Sequence, residues 1–298
     1  MLYYNLSTYL RERYGKRLKK ICIDGGFSCP NRDGKCGTGG CVFCGERGAG
    51  EHIDPTASIG EQVRAACSGA AADDGFIAYF QNFTNTYAPV EVLKERYDAA
   101  LVDDRIRILS IGTRPDCISE EICSLLEEYQ KEREVWVELG LQTVSDETAR
   151  LINRGYPLST FESALAMLKA HGIPVVVHVI FGLPGESREA YRKTADYLAS
   201  LGVFGVKIHS IYVMHGTRLA EMYGEKRYTP PTLSDFAEAA AYAVARLPED
   251  TVIHRLTGDC PRDLLIAPEW NSDKNAVLEA IRSELIGKGY RQGSLFEE

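Results

Sequence analysis

The chain has 298 residues, 45% of them hydrophobic, which suits one (β/α) barrel domain with a large core. Its net charge of −8 argues against a general polyanion-binding protein. No apolar run reaches the roughly eighteen residues that span a bilayer. The N-terminus, MLYYNLSTYLRERYGKRLKK, lacks the apolar core and cleavage site of a secretory signal. We therefore expect a cytoplasmic protein without a membrane partner.

The N-terminal segment carries a basic run interleaved with tyrosines. The basic residues are Arg11, Arg13, Lys16, Arg17, Lys19 and Lys20, and the tyrosines are Tyr3, Tyr4, Tyr9 and Tyr14. One interpretation is an ordinary solvated helix face. The other is a nucleic-acid surface, in which the cations contact phosphates and the rings stack on bases.

Strand-like and helix-like segments alternate along the rest of the chain. The strand candidates are 19–25, 75–81, 105–112, 134–142, 174–182 and 204–213. The helix candidates between them are about 56–71, 89–102, 118–132, 159–171 and 186–201. Several strands are apolar on both faces, which is typical of a parallel sheet covered by helices. A final segment has helix candidates at 232–246 and 272–286 around a short strand at 251–256.

These elements predict an α/β fold, a partial six-stranded (β/α) barrel with terminal extensions. We expect an N-terminal extension at 1–18, the barrel at 19–223, and a helical C-terminal extension at 224–298 packed on the barrel. Barrel enzymes carry their chemistry on the loops that follow the strands. Here those loops are polar and rich in glycine, such as GGFSCPNRDG after the first strand and GLPGES after the fifth.

The nine cysteines are unevenly distributed. Five lie between residues 22 and 44, and the others are scattered at Cys67, Cys117, Cys123 and Cys260. Because a disulfide framework is improbable in the cytosol, the dense group indicates metal or redox chemistry. Cys36, Cys41 and Cys44 give C-x4-C-x2-C, the spacing that opens plant-type ferredoxins, whereas Cys29, Cys41 and Cys44 give C-x11-C-x2-C. A structural zinc site is the alternative.

Six motifs follow one another along the chain: CPNRDG, GTGGCVFCG, YFQNFTNTYAP, GTRPDCI, ELGLQTVSDETARLINRGY and HVIFGLPGES. Together they resemble the radical S-adenosylmethionine (SAM) family that includes the bacterial YtqA and YhcC proteins. They are more distantly similar to the radical SAM domain of the Elongator catalytic subunit. In that domain the segment after the ELGLQ-type strand ends in RGH, whereas here it ends in RGY, so Tyr156 differs from that pattern. The resemblance implies a radical SAM barrel with a [4Fe-4S] cluster on Cys29, Cys41 and Cys44, and no fixed role for Cys36.

The resemblance also implies an activity. One electron entering the cluster would cleave SAM to a 5′-deoxyadenosyl radical, which takes a hydrogen atom from the substrate. The implied substrate is tRNA, modified on the wobble-uridine side chain, and the implied electron donor is a protein such as flavodoxin or ferredoxin. A small metabolite or a protein is the alternative substrate. An iron–sulfur electron carrier or a zinc-stabilised binding module is the alternative of another class.

Candidate residues for the two ends of the SAM methionine lie at strand ends. Gln81 and Asn82, after the second strand, are expected to accept from the amino group. Arg114 and Arg154 are candidates for a bidentate pair with the carboxylate.

Other candidates would bind the nucleoside part of SAM or the substrate. Glu138 and Gln142 share a strand face and are expected at the ribose, with an ion pair inside the barrel as the alternative for Glu138. Near the adenine we expect close backbone approach at two glycines of the fifth-strand loop, whose alternative role is an ordinary turn: Gly182 and Gly185. His178 and His215 are catalytic candidates, and a hydrogen-bonded core histidine is the alternative for His178.

Overall fold

A seven-stranded parallel sheet, curved into a half-barrel, organises the chain. The structure is a computed structural model that describes residues 1–48, 50, 53 and 56–297. The strands of the sheet, in spatial order, are β1 (Lys19–Ile23), β2 (Phe76–Phe80), β3 (Ile106–Thr113), β4 (Glu134–Gln142), β5 (Val175–Phe181), β6 (Gly205–Ser210) and β8 (Val252–Arg255). A short antiparallel pair is formed by β7 (Val213–Met214) and β9 (Leu265–Ala267).

Helices surround the sheet, most of them on its outer face. They are α1 (Leu6–Tyr14), α2 (Ile59–Cys67), α3 (Val90–Ala99), α4 (Glu120–Gln130), α5 (Asp146–Leu151), α6 (Leu158–Ala170), α7 (Arg188–Ser200), α8 (Arg218–Gly224), α9 (Leu233–Arg246) and α10 (Lys274–Gly287). Leu126 of α4 and Phe161 of α6 share one apolar core cluster with outward-facing strand residues such as Ile111. Apolar burial on this face therefore holds the helices on the sheet. Within the described part of the chain, no helix combines the length and the apolar character that a membrane span requires.

The six predicted barrel strands and the α/β fold class are confirmed, with one correction. The short strand predicted at 251–256 is β8, and it pairs in parallel with β6. Val252 and Ile253 are buried, so the strand extends the core where β6 would otherwise be an edge. The sheet thus includes a strand from beyond residue 223, within the segment that we expected to form a helical extension packed on the barrel.

Helix α1 closes the end of the half-barrel at which the strands begin. Its Leu10 packs in an apolar cluster with residues near the starts of five strands: Leu18, Ile77, Ile108, Trp136 and Val176. Tyr9 and Tyr14 donate hydrogen bonds to the two carboxylate oxygens of Glu134 at 2.5 and 2.6 Å. These two tyrosines therefore fix the helix to the barrel.

The opposite end of the half-barrel, where the strands terminate, carries the loops with candidate site residues. Strands β1 and β8 form the two edges of the sheet. Cys22 on β1 is exposed although the neighbouring Ile21 and Ile23 are buried. Over the residues described, the barrel is thus open along the side between β1 and β8.

Candidate functional site

A cavity of about 380 Å³ occupies the open end of the half-barrel. Cys29, Cys41 and Cys44, all from the loop after β1, line it together with inward-facing residues of the strands. Because parallel strands bring their carboxyl ends to one edge, loops that are distant in sequence meet here. The structure therefore places the three thiols at the end where barrel enzymes carry their chemistry.

Hydrogen bonds fix the cysteine loop to the segment after α5. Asn31 donates from Nδ2 to the carbonyl oxygen of Asn153 at 2.6 Å, and the same nitrogen lies 3.8 Å from Cys41 Sγ. Asn153 has a left-handed backbone with φ of 54° and donates to the Gly40 carbonyl at 2.7 Å. Arg32 donates to the Cys44 carbonyl oxygen at 3.2 Å. The loop is thus held on both sides of Cys41.

The chemistry of the three thiols suits a cationic cluster. Burial and, after it, the neighbouring Cys44 raise the pKa of Cys41 to about 12. A cation would relieve both effects, because metal binding favours the thiolate form. Among the described residues, no three His, Cys, Asp or Glu side chains already stand at metal-binding spacing. The thiols thus line one cavity without being arranged around a common centre.

Cys36, the competing candidate, lies apart from this cavity. Its side chain is exposed, and its Sγ is 3.6 Å from Arg114 Nη2 and 3.8 Å from Asp116 Oδ2. Cys29 lines the cavity and Cys36 does not. The structure therefore favours the longer of the two spacings for a set of three thiols.

A buried polar cluster forms the inner wall of the cavity, centred on Glu138. Its carboxylate accepts hydrogen bonds from Ser110 Oγ and His178 Nε2, each at 2.8 Å. It also pairs with Lys207, and Lys20 Nζ lies 3.8 Å away. Burial opposes ionisation, but Lys207 and Lys20 hold the pKa of Glu138 well below its ordinary value. The carboxylate is thus saturated by protein groups, as the ion-pair interpretation describes, rather than aimed at a ribose.

His178 lines the cavity as a neutral hydrogen-bonded residue. Burial, followed by the charge of Lys207, lowers its pKa to about 4. Its ring centroid is 5.3 Å from that of His209, which also lines the cavity. His215, the second catalytic candidate, is exposed and is not among the lining residues.

Arg154 is committed to the protein. Its guanidinium donates to the carbonyl oxygens of Leu141, Thr143 and Tyr156 at 2.6, 2.7 and 3.0 Å, and to Asp146 at 3.3 Å. About four of the five N–H groups of an arginine are thereby used. Arg154 lines the cavity. Its hydrogen bonds, however, are made to the segment after β4, and this argues against a pair between Arg154 and the SAM carboxylate.

Arg114 is also paired within the protein, and it contacts the ring of Tyr156. Its Nε and Nη2 donate to the two oxygens of Asp116 at 2.9 and 2.7 Å, a bidentate pair. The Tyr156 ring lies 4.8 Å from the Arg114 guanidinium and 4.7 Å from that of Arg154. Its hydroxyl donates to the Gly140 carbonyl at 2.8 Å. The tyrosine thus separates two like charges by cation–π contact.

Of the two candidates at the end of β2, one lines the cavity and the other does not. Gln81 lines the cavity. Asn82 is buried, does not line the cavity, and donates to Asp24 Oδ2 at 2.8 Å.

On β4, Gln142 does line the cavity, in a left-handed backbone with φ of 61°. Its Oε1 lies 3.4 Å from the Tyr156 hydroxyl oxygen.

The glycines after β5 serve the turn. A Cβ on Gly182 would lie 2.4 Å from Ile211 Cγ2, and its φ is 101°. Gly185 also has a positive φ, of 81°. Neither residue lines the cavity. Their alternative role as an ordinary strand-to-helix turn is what the structure shows.

Sequence reasoning missed several cavity residues. They are Lys20, Cys22, Tyr79, Lys207, Tyr212 and Arg255. A signal was present, because Lys207 and His209 alternate with apolar residues inside a strand, and charge there needs a partner inside the barrel.

Comparison with known proteins agrees with this geometry. The radical SAM superfamily model matches residues 34–198, and the radical SAM C-terminal domain model matches residues 203–286. The chain thus belongs to the radical SAM superfamily, whose enzymes use a [4Fe-4S] cluster and cleave SAM reductively. An electron carrier or a zinc-stabilised module is therefore wrong as its class. The matched span begins after Cys29, so the cavity, and not the match, distinguishes Cys29 from Cys36.

Several individual proteins are similar to it. The chain is 39% identical to YtqA of Bacillus subtilis, over 99% of this chain and 93% of YtqA. It is 36% identical to YhcC of Escherichia coli, over 88% of this chain and 85% of YhcC. It is 30% identical to a tRNA uridine(34) acetyltransferase of Methanocaldococcus infernus, over 53% of this chain and 30% of that protein. The solved structure of Elp3 from that archaeon superposes with a TM-score of 0.70 at 21% identity, over 92% of this chain and 64% of that one, which supports the fold.

Proposed function

We propose that this radical SAM enzyme modifies the side chain of the wobble uridine of tRNA in the cytoplasm. The support from comparison is the similarity to a tRNA uridine(34) acetyltransferase, which spans about half of this chain. The observation that carries the proposal is the charge of the cavity. Its lining includes six basic residues and two acidic ones, Glu138 and Asp259, in a chain of net charge −8. Such a cavity favours an anionic substrate.

Within this proposal, Cys29, Cys41 and Cys44 hold the cluster. All three line the cavity, whereas Cys36 lies outside it. When bound, the cluster and SAM supply the one-electron chemistry that removes a hydrogen atom from the substrate. Asn31 and Arg32 keep the loop in place through their bonds to Asn153 and Cys44.

The polar inner wall orients the substrate. Glu138 has its charge compensated by Lys207 and Lys20, so it holds three strands at fixed spacing without presenting an unpaired charge. Neutral His178 and His209 both line the cavity, with ring centroids 5.3 Å apart. A nucleotide of a single-stranded anticodon loop can be turned out of its stack and read by such groups.

Nucleoside analysis of tRNA from a deletion strain tests the substrate. We expect one modified wobble uridine to disappear and its precursor to accumulate. Wild-type protein and Cys36→Ala should restore the modification, and Cys44→Ala should not. An unchanged nucleoside profile in the deletion strain would contradict the tRNA proposal and transfer the same chemistry to a small metabolite or a protein.

A second experiment tests the chemistry separately from the substrate. With dithionite as the reductant, purified anaerobic protein should convert SAM to 5′-deoxyadenosine and methionine. Flavodoxin or ferredoxin should replace dithionite if one of them is the electron donor. If SAM is cleaved while the nucleosides stay unchanged, the enzyme class stands and only the tRNA substrate is wrong.

A further inference from the structure

The cavity has a cationic wall, formed by Lys20 of β1, Lys207 of β6 and Arg255 of β8. Lys20 Nζ and Lys207 Nζ each lie 4.5 Å from the centroid of the Tyr79 ring. Two of the three residues come from the edge strands, so the wall faces the open side of the half-barrel. The wall is built from strands rather than from surface loops, and Lys207 is 4% exposed.

The wall carries more positive charge than its acidic neighbours compensate. Glu138 is shared by Lys207 and Lys20. Asp259, 3.5 Å from Arg255, is closer to Lys274, at 2.7 Å. Four basic side chains thus face two carboxylates, and burial lowers the pKa of one of them, Lys207, to about 7. The adjacent histidines add no charge, because burial lowers the pKa of His178 and His209.

A second observation points to a ligand beside this wall. His209 Nε2 is shielded from solvent and has no hydrogen-bond partner among the described residues. A buried ring nitrogen without a partner costs free energy. His209 lines the same cavity as Lys207, with which it shares a strand face. The unpaired nitrogen therefore belongs to a side chain that lines the same cavity as the wall.

We propose that the cationic wall binds a phosphate group of the substrate, deeper in the barrel than the cysteine loop. Lys20 and Lys207 lie one layer above the apolar cluster that α1 closes, whereas the cysteines belong to the loop beyond β1. Cations from three separate strands can meet a multiply charged, tetrahedral anion together. A carboxylate would be served by a single bidentate arginine.

This inference extends the proposed function. It rests on that proposal only for which molecule carries the phosphate. In RNA, the phosphate would flank the modified nucleoside. In a small phosphorylated molecule, it would be the terminal group. Both sources present the same chemistry to Lys20, Lys207 and Arg255, so the test must separate them.

Calorimetric titration tests the wall with three probes: inorganic phosphate, uridine 3′-monophosphate and uridine. The test variant is Lys20→Gln with Arg255→Gln, which leaves the buried Lys207–Glu138 pair in place. The control is Lys94→Gln with Arg282→Gln, two exposed cations in helical surface pairs. We expect the test variant to bind both phosphate probes at least tenfold more weakly than wild type. The control should bind them like wild type, and uridine should not discriminate among the proteins.

A charge-retaining variant, Lys20→Arg with Arg255→Lys, guards against a folding defect. It should recover phosphate affinity to within a few-fold of wild type, and thermal melting reports whether each variant is folded. Equal phosphate affinity in folded wild type and test variant would overturn the inference. So would a wild-type protein that binds neither phosphate probe.

An anticodon stem-loop RNA separates the two phosphate sources. If the test variant also loses RNA affinity, the phosphate belongs to RNA. If phosphate binding depends on the wall while the stem-loop does not bind even to wild type, the tRNA proposal fails and the phosphate site stands, serving a small phosphorylated substrate.

Discussion

Arg114 Nη1 donates a hydrogen bond to the carbonyl oxygen of Arg154 at 2.9 Å. This bond joins the loop after β3 to the segment after α5, two loops of the cavity rim. The ring centroid of Tyr156 lies 4.8 Å from the Arg114 guanidinium and 4.7 Å from that of Arg154. The two arginines therefore connect the loops of the cavity rim. We expect their substitution to lower the stability of the fold before it affects ligand binding.

We expect Arg154→Ala to lower the free energy of unfolding by about 2–4 kcal/mol, since it removes the guanidinium that donates to the buried carbonyl oxygens of Leu141, Thr143 and Tyr156. Urea unfolding measures this change. Arg150→Ala, which removes an exposed arginine of the neighbouring helix α5, is the matched control and should change stability little. Wild-type stability with a tenfold loss of SAM affinity would instead restore Arg154 as the partner of the SAM carboxylate.

Iron content distinguishes the two cysteine spacings. We expect Cys29→Ala, Cys41→Ala and Cys44→Ala each to lose the [4Fe-4S] cluster after anaerobic reconstitution. Cys36→Ala should keep most of its iron, because Cys36 is exposed and lies outside the cavity. The measurement is iron and sulfide analysis with the visible absorption spectrum. Loss of the cluster in Cys36→Ala with retention in Cys29→Ala would favour the ferredoxin-like spacing.

The strands could be predicted because each is an apolar run of β-branched and aromatic residues between turn signals, a local property. The partners inside the barrel could not. Lys207 pairs with Glu138 across 69 residues of chain, and Tyr9 bonds to Glu134 across 125. These pairs exist only once the barrel has formed. The spacing of the cysteines alone left two sets open, and the family resemblance, not the spacing, selected Cys29 over Cys36.

The anchor of α1 gives a further stability prediction. Glu134 accepts hydrogen bonds from Tyr9, Tyr14 and Trp136, at 2.5, 2.6 and 2.5 Å. Glu134→Ala removes all three, and we expect a loss of about 2–4 kcal/mol in the free energy of unfolding. Glu132→Ala is the control, since its side chain is 75% exposed. Equal stability of the two variants would show that apolar packing alone holds α1.

Glu186 should make stability depend on pH. Burial raises its pKa to about 7, and one carboxyl oxygen has no hydrogen-bond partner among the described residues. The folded state therefore binds the proton more tightly than the unfolded state, so wild type loses stability as the pH rises from 5 to 8. Glu186→Gln removes this penalty. We expect it to be more stable than wild type by about 1–3 kcal/mol at pH 8 and similar at pH 5.

Chemical unfolding at both pH values measures that effect. Glu189→Gln, in the exposed first turn of α7, controls for the loss of one negative charge. A Glu186→Gln protein whose advantage over wild type is the same at pH 5 and pH 8 would show that the carboxyl of Glu186 does not titrate between them.

The basic run of α1 gives the last prediction, which depends on the tRNA proposal. The structure places Arg11 and Arg13 of α1, with Lys16 and Arg17 just after it, at the closed end of the barrel, opposite to the cavity that Lys20 lines. Arg13 is 67% exposed and lies 3.9 Å from Glu134, and Lys16 bonds to the Asp73 carbonyl. Of the two interpretations of the sequence, this position favours a solvated face. We therefore expect tRNA affinity, measured across a salt series, to be nearly unchanged when the exposed cations are replaced by glutamine, as Arg11→Gln, Arg13→Gln, Lys16→Gln and Arg17→Gln together.

The slope of log affinity against log salt concentration decides between the interpretations, because each phosphate contact contributes about 0.7–0.9 to it. The fourfold variant should keep the wild-type slope, whereas Lys20→Gln with Arg255→Gln should reduce it by about one contact. A reduced slope in the fourfold variant would show that tRNA reaches around to the closed end of the barrel. The acidic protein would then bind RNA through two separate surfaces, with α1 supplying phosphate contacts at a distance from the modified nucleoside.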